Sequence, residues 1–323
     1  MRKKVLLVGN PVLNPDSLRE ISLNLDVEHV TTEIFYERKR FFLEQFNYIW
    51  LHIETRLESL DIASLSENHI VVSTTTGNTH IAKPVLEYLG SNFISLKTEV
   101  DLLNSITSTA EHALCLLLIG VTKVNVAIKS VAEGTWDRIA NVKDKQLSNL
   151  EVGVVGYGRL GRIMSSYLKN LAGNIIVWDL SPSARDLARS DGFEVTEGLS
   201  DLLARADVVT LHVSTTRGEA PVLAENTIAQ LKKGMIIINT SRGSIVDETA
   251  VASAVDSGTI AMYLTDVLEF EESGNKISES ILWKKSLEDS RIVITPHIGG
   301  ASLDAMRKCE SRLLTRLLER ISN

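Results

Sequence analysis

The sequence predicts an α/β protein with two doubly wound parallel-sheet domains. Three observations support this fold class. Short apolar runs alternate with helical patterns along most of the chain, and a glycine-rich turn near the middle joins one such run to a helical pattern. The chain has 323 residues, which is enough for two domains that each bury a core. Because buried parallel strands are apolar on both faces and are connected by helices, the alternation favours parallel sheets.

The N-terminal part predicts a small parallel-sheet domain. Apolar runs at residues 5–9, 48–53, 69–75 and 93–97 predict strands, and Glu33–Phe46 has a helical pattern between the first two. The apolar side chains of that pattern would form one helix face: Ile34, Phe35, Phe41, Phe42 and Phe46. The polar turn Thr74–His80 follows a strand, which is where such sheets bind ligands. A plain solvated turn is an equally good interpretation of these residues alone.

The glycine-rich turn lies in the middle of the chain and follows the apolar run at 152–155. Gly156, Gly158 and Gly161 have the spacing GxGxxG and lead into a helical pattern over Arg159–Leu171. Glycines at these positions allow a tight turn, close approach of a pyrophosphate and close packing of helix on strand. The free N–H groups of the helix N-terminus can bind phosphate.

A second apolar run, Ile175–Trp178, ends at Asp179. An acid at this position accepts hydrogen bonds from ribose hydroxyls and repels a 2′-phosphate. The combination of strand, turn, helix and acid predicts a binding site for NAD(H) rather than NADP(H).

The alternation continues to the end of the chain. Strand-like runs lie at 208–213, 235–239, 263–268 and 292–295, which gives this part six parallel strands. Ala224–Leu231, Glu248–Asp256 and Leu303–Ile321 have helical patterns. Ser105–Val131 predicts one long helix, so apolar that it must lie between elements or between subunits.

Composition limits the kinds of partner. A net charge of −7 and a hydrophobic fraction of 44% favour a small-molecule ligand over nucleic acid. We expect no membrane partner, because no window looks apolar for long enough to span a bilayer. The run VLLVG near the N-terminus is too short for a signal peptide, so we expect a cytoplasmic protein. Cys115 and Cys309 have neither metal-ligand nor disulfide spacing, and no metal site is expected.

Polar residues with catalytic chemistry follow three of the predicted strands. Arg242 follows the run at 235–239, Asp266 begins an acidic segment that includes Glu269 and Glu271, and His297 follows the run at 292–295. Histidine can exchange a proton with a hydroxyl or carbonyl oxygen, a carboxylate can stabilise the imidazolium, and arginine can bind a carboxylate through two hydrogen bonds. Arg242 or Glu271 alone could equally be a capping or solvated residue. Together they predict a site for hydride transfer coupled to proton transfer.

Four segments resemble, in order, the signatures of the D-isomer-specific 2-hydroxyacid dehydrogenases. They are GYGRLG with Asp179, NTSRGSIVD at 239–247, DVLEFE at 266–271 and TPHIGGAS at 295–302. The resemblance implies a smaller flavodoxin-like substrate domain, residues 1–101 plus 297–323, and a Rossmann NAD-binding domain, residues 102–296. It also implies a homodimer with the predicted Ser105–Val131 helix near the interface.

The resemblance also implies roles for single residues. Arg242 matches the arginine that binds the substrate and polarises its carbonyl, and His297 matches the acid/base histidine. Glu271 matches the carboxylate partner of that histidine, with Glu269 as a rival. The loop that holds the substrate carboxylate is matched by Thr76, Gly77 and Asn78. Cofactor contacts are implied for Gly156, Gly158, Arg159, Leu160, Gly161, Asp179, His212, Thr240, Asp266, Gly299 and Gly300, and Glu111-His112 resembles part of an Ala-Glu-His helix signature.

The function that the resemblance implies is NAD-dependent interconversion of a D-2-hydroxy acid and its 2-oxo acid. The chain resembles phosphoglycerate dehydrogenase-like members, but these carry an arginine where this chain has His52, with Arg56 farther on. Two alternatives stay open. One is a formate- or phosphite-type dehydrogenase of the same architecture, and the other is an NAD-sensing binding protein of the same fold without catalysis.

Overall fold

The computed structural model describes residues 2–12, 14–78, 80–143, 145–214, 220–273 and 276–322. The chain forms two compact units. The first is Met1–Ile106 with Ala301–Asn323, and the second is Thr107–Gly300. The last helix of the chain therefore returns to the first unit.

The strands, in chain order, are β1 (Lys4–Val8), β2 (Asp26–Val30), β3 (Tyr48–Leu51), β4 (Ile70–Ser73), β5 (Phe93–Ser95), β6 (Glu151–Val155), β7 (Asn174–Trp178), β8 (Glu194–Val195), β9 (Val208–Leu211), β10 (Met235–Asn239), β11 (Ile260–Thr265) and β12 (Ile292–Ile294). The α-helices are α1 (Pro15–Asn24), α2 (Thr32–Glu37), α3 (Lys39–Gln45), α4 (Lys83–Leu89), α5 (Val100–Asn104), α6 (Ser108–Thr122), α7 (Val124–Ala132), α8 (Arg159–Leu168), α9 (Pro182–Ser190), α10 (Leu199–Arg205), α11 (Glu225–Ile228), α12 (Glu248–Asp256), α13 (Phe270–Ser273), α14 (Ile281–Ser286) and α15 (Leu303–Ser322). Short 3₁₀ turns lie between several of these elements.

In the first unit, five described strands form a parallel sheet in the order β2-β1-β3-β4-β5. Alternate residues of its central strands enter two different cores. Leu6 packs in the same core as Phe35 and Phe42 of the aromatic helices, whereas Leu7 packs in a core that includes Leu313 of α15. Helices therefore cover both faces, which is why the strands are apolar throughout.

The Glu33–Phe46 segment differs from its prediction. It forms two helices, α2 and α3, that meet at Arg38. Phe35, Phe42 and Phe46 are buried, but Ile34 and Phe41 are each 44% exposed. Because the helix is interrupted at Arg38, one continuous helical pattern does not predict which side chains face the core.

The second unit holds a larger sheet, with seven parallel strands among its described residues in the order β12-β11-β10-β9-β6-β7-β8. The predicted number of six was wrong, because it omitted the two-residue edge strand β8. The strand order reverses between β6 and β9. Doubly wound sheets bind their ligands at the carboxyl ends of the strands beside such a reversal.

The predicted single helix over Ser105–Val131 was also wrong. The segment contains α6 and α7, which are separated by Lys123 in the left-handed conformation with φ of +54°. The buried face of α6 packs on the large sheet: Ala113, Leu116 and Leu117 share a core with Val152 and Leu264. The left-handed conformation of Lys123 thus ends α6 and precedes the first residue of α7.

We expected no segment that is long and apolar enough to span a membrane. By length and composition, this expectation was wrong. Val100–Thr122, with 23 residues, meets both criteria. This window contains α5 and α6, and the buried side of α6 belongs to the core of the second unit. Core helices of globular domains meet the same two criteria, so composition alone does not indicate that the window crosses a membrane.

Candidate active site

The glycine-rich turn after β6 has the geometry that its sequence predicts. Gly156 has φ of +94°, and a Cβ on it would lie 2.5 Å from the carbonyl oxygen of His212. A Cβ on Gly161 would lie 2.0 Å from the carbonyl oxygen of Gly156. At Gly158 a Cβ would meet no atom within 4 Å, so the middle glycine borders open space at the start of α8. The turn leaves room there for a ligand to approach the backbone.

Asp179 lies beside this turn, at the end of β7. Its Oδ2 accepts a hydrogen bond from the N–H of Tyr157 at 2.7 Å, and its Oδ1 accepts one from the N–H of Ser181 at 2.8 Å. These bonds hold the carboxylate next to the glycines and the first residues of α8, Arg159 and Leu160. Each carboxylate oxygen keeps a further lone pair with which it can accept a hydroxyl.

Two buried polar atoms lack partners at the neighbouring strand ends. The Nδ1 atom of His212, after β9, and the hydroxyl of Thr240, after β10, have no hydrogen-bond partner in the part of the chain that the structure describes. Burial lowers the pKa of His212 to about 4, so its imidazole is neutral at pH 7. Buried polar groups are normally paired. A polar ligand along this edge of the sheet would supply the missing partners, and these residues fit a bound dinucleotide.

His297 is held in an unusual backbone conformation after β12. Its φ is +52°, in the left-handed region that costs roughly 1–2 kcal/mol for a residue with a Cβ. The N–H of His297 donates to the carbonyl of Asp266 at 3.0 Å, which ties this turn to the end of β11. Backbone strain that the surrounding structure maintains is common at functional sites.

Glu271 is the acid that contacts His297. One of its carboxylate oxygens is hydrogen-bonded to Nδ1 of His297, and the other accepts from the N–H of Leu268 at 2.8 Å. The hydrogen bond to Glu271 is the main reason why the pKa of His297 is raised, and the charge of Asp266 adds to it, while burial and the charge of Arg242 oppose it. The geometry thus pairs His297 with Glu271 and not with its sequence rival Glu269.

Arg242 lies in the turn after β10, and its Nη1 donates to the carbonyl of Ser241 at 2.7 Å. The next residue fixes this turn against the Glu271 segment. A Cβ on Gly243 would lie 2.0 Å from the carbonyl carbon of Leu268 and 2.2 Å from the nitrogen of Glu269. Only glycine permits this backbone-to-backbone contact. It brings the segment that carries the arginine against the segment that carries the carboxylate.

Asp266 follows β11, contacts the turn that carries His297 and is 2% exposed. Its carboxylate accepts hydrogen bonds from the N–H of Ile298 at 2.9 Å and of Gly299 at 2.7 Å. A Cβ on Gly300 would meet only Thr109, at 3.7 Å. The structure therefore gives Asp266 and Gly299 partners within the protein, and direct contact of Asp266, Gly299 and Gly300 with a cofactor stays a prediction.

The loop predicted to bind the substrate carboxylate belongs to the first unit. The N–H groups of Thr76, Gly77 and Asn78 donate to none of the described residues, while Thr75 donates its hydroxyl to the carbonyl of Gly77 at 2.7 Å. Successive free N–H groups make an anion site. Thr79 of this loop lies outside the described residues.

His80 ends that loop and is 5% exposed. Its Nε2 is hydrogen-bonded to the hydroxyl of Ser73 at 2.9 Å. Burial, together with the positive charges of His52 and Arg56, lowers the pKa of His80 to about 4. His52 and Arg56 follow β3, and burial lowers the pKa of His52 as well. Two neutral imidazoles and the guanidinium of Arg56 therefore follow β3 and β4 on the side of the predicted carboxylate loop.

Comparison with known proteins identifies the family. Residues 114–299 match the family model of the D-isomer specific 2-hydroxyacid dehydrogenase NAD-binding domain. The chain belongs to this family. Its cofactor is therefore NAD, and the glycine turn, Asp179, His212 and Thr240 lie within the matched NAD-binding domain.

Individual dehydrogenases of the family are similar to this chain over part of its length. A D-3-phosphoglycerate dehydrogenase from Mycobacterium bovis is 33% identical over 204 residues, 62% of this chain and 36% of that protein. The match thus spans just over a third of that relative's length. A hydroxypyruvate reductase from Thermotoga maritima is 30% identical over 67% of both chains. The crystal structure of a D-lactate dehydrogenase from Aquifex aeolicus, in complex with NAD and lactic acid, has a TM-score of 0.79 at 22% identity, with 98% of this chain and 97% of that chain covered.

Two residues that sequence reasoning left without a role contribute to this dehydrogenase-family site. Glu248 is 7% exposed, and its carboxylate accepts from the N–H of Glu269 at 3.0 Å and from the hydroxyl of Ser280 at 2.6 Å. It anchors the segment that carries Glu271. Nε2 of His112 lies 3.4 Å from Oδ1 of Asp266. The family-like Glu111-His112 pair was a signal for His112, whereas no local pattern distinguishes Glu248 from an ordinary first-turn acid.

Proposed function

We propose that the protein catalyses the NAD-dependent interconversion of a D-2-hydroxy acid and its 2-oxo acid. The supporting observation is the hydrogen bond between His297 and Glu271 at the sheet edge that also carries Arg242. Acid, base and cation thus follow three adjacent strands, β10, β11 and β12, of an NAD-binding domain. The resemblance to dehydrogenases acting on hydroxy acids supports the same reaction class.

In the proposed mechanism, the side chains bind the acid and move one proton. The matched NAD-binding domain would hold the cofactor, which would supply the hydride acceptor for oxidation and the hydride donor for reduction. His297 takes the hydroxyl proton during oxidation and returns it to the carbonyl oxygen during reduction. Because Nδ1 is engaged by Glu271, Nε2 is the nitrogen that exchanges this proton. Arg242 binds the substrate carboxylate and polarises the reacting carbonyl.

The identity of the acid depends on the loops after β3 and β4. D-3-phosphoglycerate and hydroxypyruvate are suggested by the names of relatives. His52, Arg56 and His80 lie in these loops and would contact the side chain of the acid. We propose phosphoglycerate dehydrogenase-like chemistry as the first possibility to test.

The direct test is a screen of 2-oxo acids by the loss of NADH absorbance. The panel contains glyoxylate, pyruvate, hydroxypyruvate, branched-chain 2-oxo acids and 3-phosphohydroxypyruvate, with formate and phosphite tested separately with NAD. We expect turnover of at least one 2-oxo acid. In His297→Ala, kcat should fall on the order of a thousandfold, the size of a general acid–base contribution, with little change in the Kd of NADH measured by fluorescence.

Each other outcome points to a different function. Turnover of formate or phosphite alone would assign the protein to that type of dehydrogenase. Tight NADH binding without turnover of any compound would favour the NAD-sensing alternative. Unchanged kcat in His297→Ala would contradict the proposed role of the histidine.

We also propose that the protein is a homodimer. An open groove of about 840 Å³ lies between α6, α7 and α8, and its lining includes Leu114, Leu118, Val124 and Leu171. Beyond the groove, α7 exposes Ile128 by 65%. A contiguous apolar surface of this kind is typical of a protein interface, and a second copy of the chain is the partner that the family resemblance implies.

A further inference from the structure

The turn that carries His297 is hydrogen-bonded to Asp266, through both the backbone and the side chain of that residue. Asp266 accepts from the N–H of His297 through its backbone carbonyl, at 3.0 Å. Its side chain accepts from the next two N–H groups, those of Ile298 and Gly299. Three successive N–H groups therefore bond to Asp266, and the N–H of His297 is shared with the carbonyl of Thr295, also at 3.0 Å. Together these bonds keep His297 at its positive φ.

Asp266 is itself held by Thr295, which follows β12, and by His112 in the first turns of α6. The hydroxyl of Thr295 donates to Oδ1 of Asp266 at 2.5 Å, and Nε2 of His112 lies 2.9 Å from that hydroxyl and 3.4 Å from Oδ1. A hydroxyl has a single proton. Because Thr295 gives it to Asp266, the Thr295 oxygen accepts from His112, and Nε2 of His112 carries a hydrogen.

The packing leaves little freedom for this arrangement. A Cβ on Gly299 would lie 2.9 Å from Oδ2 of Asp266, 3.5 Å from Cδ2 of His112 and 3.6 Å from Cγ2 of Thr109. A side chain at position 299 would therefore crowd Asp266 and two side chains of α6. A loss of the His112 bond would leave Thr295 free to rotate, and Asp266 would lose a fixed partner in a site where it is 2% exposed.

We propose that His112 is a positioning residue for His297, acting through Thr295 and Asp266. The inference rests on the proposed function for its effect on catalysis, but the arrangement of the turn can be measured without turnover. Among the described residues, the hydrogen-bond and ion-pair partners of His112 are Thr295 and Asp266, and neither His297 nor Glu271 is one of them. His112 instead fixes the conformation of the turn that contains His297.

Substitutions at position 112 separate the hydrogen bond from the volume of the ring. His112→Phe removes the N–H donor and keeps a ring, whereas His112→Gln keeps an N–H donor. We expect kcat of the Phe variant to fall about tenfold to a hundredfold, since a small displacement of a catalytic group costs this much. The Gln variant should recover most of the activity, and the Kd of NADH should change far less than kcat in either variant.

A double variant tests the route of the effect. If His112 acts through Thr295, the combination of His112→Phe with Thr295→Val should lose no more activity than the more damaging single variant, because residues in one network are not additive. His69→Phe is the matched control. His69 is buried and hydrogen-bonded, with Nε2 2.6 Å from the carbonyl of Leu43, but it belongs to the first unit, and kcat should not change.

The second readout does not use the activity of the enzyme. Diethyl pyrocarbonate modifies neutral imidazole, and peptide mass spectrometry gives the rate at His297 as a function of pH in the protein without cofactor. Glu271, Asp266 and Arg242 are the charged groups that act on His297, and all three are unchanged in the variants. In His112→Phe the turn should loosen from Glu271, so the neutral fraction of His297 and its modification rate near pH 6 should rise.

Several results would overturn the proposal. They are equal kcat losses in the Phe and Gln variants, multiplicative losses in the double variant, and a His297 modification rate that is unchanged in His112→Phe. The modification-rate measurement tests the proposal even if the protein turns over none of the acids in the panel. Failure of the positioning role is therefore distinguishable from failure of the proposed function.

Discussion

Glu271 controls the protonation of His297. Its hydrogen bond favours the imidazolium and so raises the pKa of His297 above its ordinary value. Reduction of a 2-oxo acid needs the imidazolium as proton donor, and oxidation needs the neutral ring as acceptor. Reduction should therefore extend to higher pH than a histidine without this partner would allow.

Glu271→Gln tests this control, because it removes the charge and keeps the shape. The pKa of His297 should fall, so the pH above which reduction declines should move down, and the pH at which oxidation begins should move down with it. The measurement is kcat/KM in both directions as a function of pH. Glu269→Gln is the matched control, since Glu271 is the acid that contacts His297, and an equal shift in both variants would contradict the assignment.

At the level of single residues, sequence reasoning succeeds where a role depends on local chain geometry. The positive φ of Gly156 and the tight contact at Gly161 follow from the GxGxxG spacing. The place of Asp179 beside the turn follows from the strand that precedes it. His112 and Glu248 could not be found in this way, because their partners are distant in the chain: His112 bonds Thr295 and Glu248 bonds Ser280.

Two loops of the site are in backbone contact at Gly243. The turn after β10 carries Arg242, and the segment after β11 carries Glu271. Their backbones meet where a Cβ on Gly243 would lie 2.0 Å from the carbonyl carbon of Leu268. Backbone atoms cannot rotate away as a side chain can, so the two segments must move apart if a methyl group is added.

Gly243→Ala should therefore damage both stability and activity. We expect the free energy of unfolding in urea to fall by about 1–3 kcal/mol, the usual cost of overpacking, and kcat/KM to fall as Arg242 and Glu271 are displaced. Gly198→Ala is the control, because the atoms nearest to its Cβ would belong to the side chains of Ser200 and Asp201, at 3.2 and 3.3 Å, and not to the backbone. Wild-type stability and activity in Gly243→Ala would contradict this account of the contact.

Secondary structure was predictable where burial made a segment uniformly apolar. The strands that were missed, β2 and β8, lie at sheet edges and bury few side chains, so an apolar run does not mark them. The break between α6 and α7 was missed for a different reason. A lysine at φ of +54° has no sequence signal comparable to that of a glycine, and the apolar pattern continues through it.

At the scale of the whole chain, the first unit closes its core with a segment distant in sequence. Leu313, Leu314 and Leu317 of α15 pack with residues of β1 and β3 in the first unit. Glu310, 1% exposed, contacts the N–H of Asn14 at 3.4 Å. Helical periodicity predicted α15 itself, whereas its place on the first sheet came from the family resemblance and not from any local pattern.

The groove between α6, α7 and α8 is open among the described residues, and its apolar lining makes the proposed homodimer testable. Ile128→Glu places a charge on the exposed side of α7, where burial against a second copy would be costly. We expect light scattering to give a wild-type mass of twice the chain mass of 35.6 kDa and a variant mass equal to one chain.

Leu60→Glu is the matched control for this experiment. Leu60 is 89% exposed and belongs to the first unit, so the same change there adds a charge to an exposed leucine without touching the groove between α6, α7 and α8. The control should keep the wild-type mass. A monomeric wild type at micromolar concentration would contradict the dimer, and a dimer that survives Ile128→Glu but not Leu60→Glu would place the interface on the first unit.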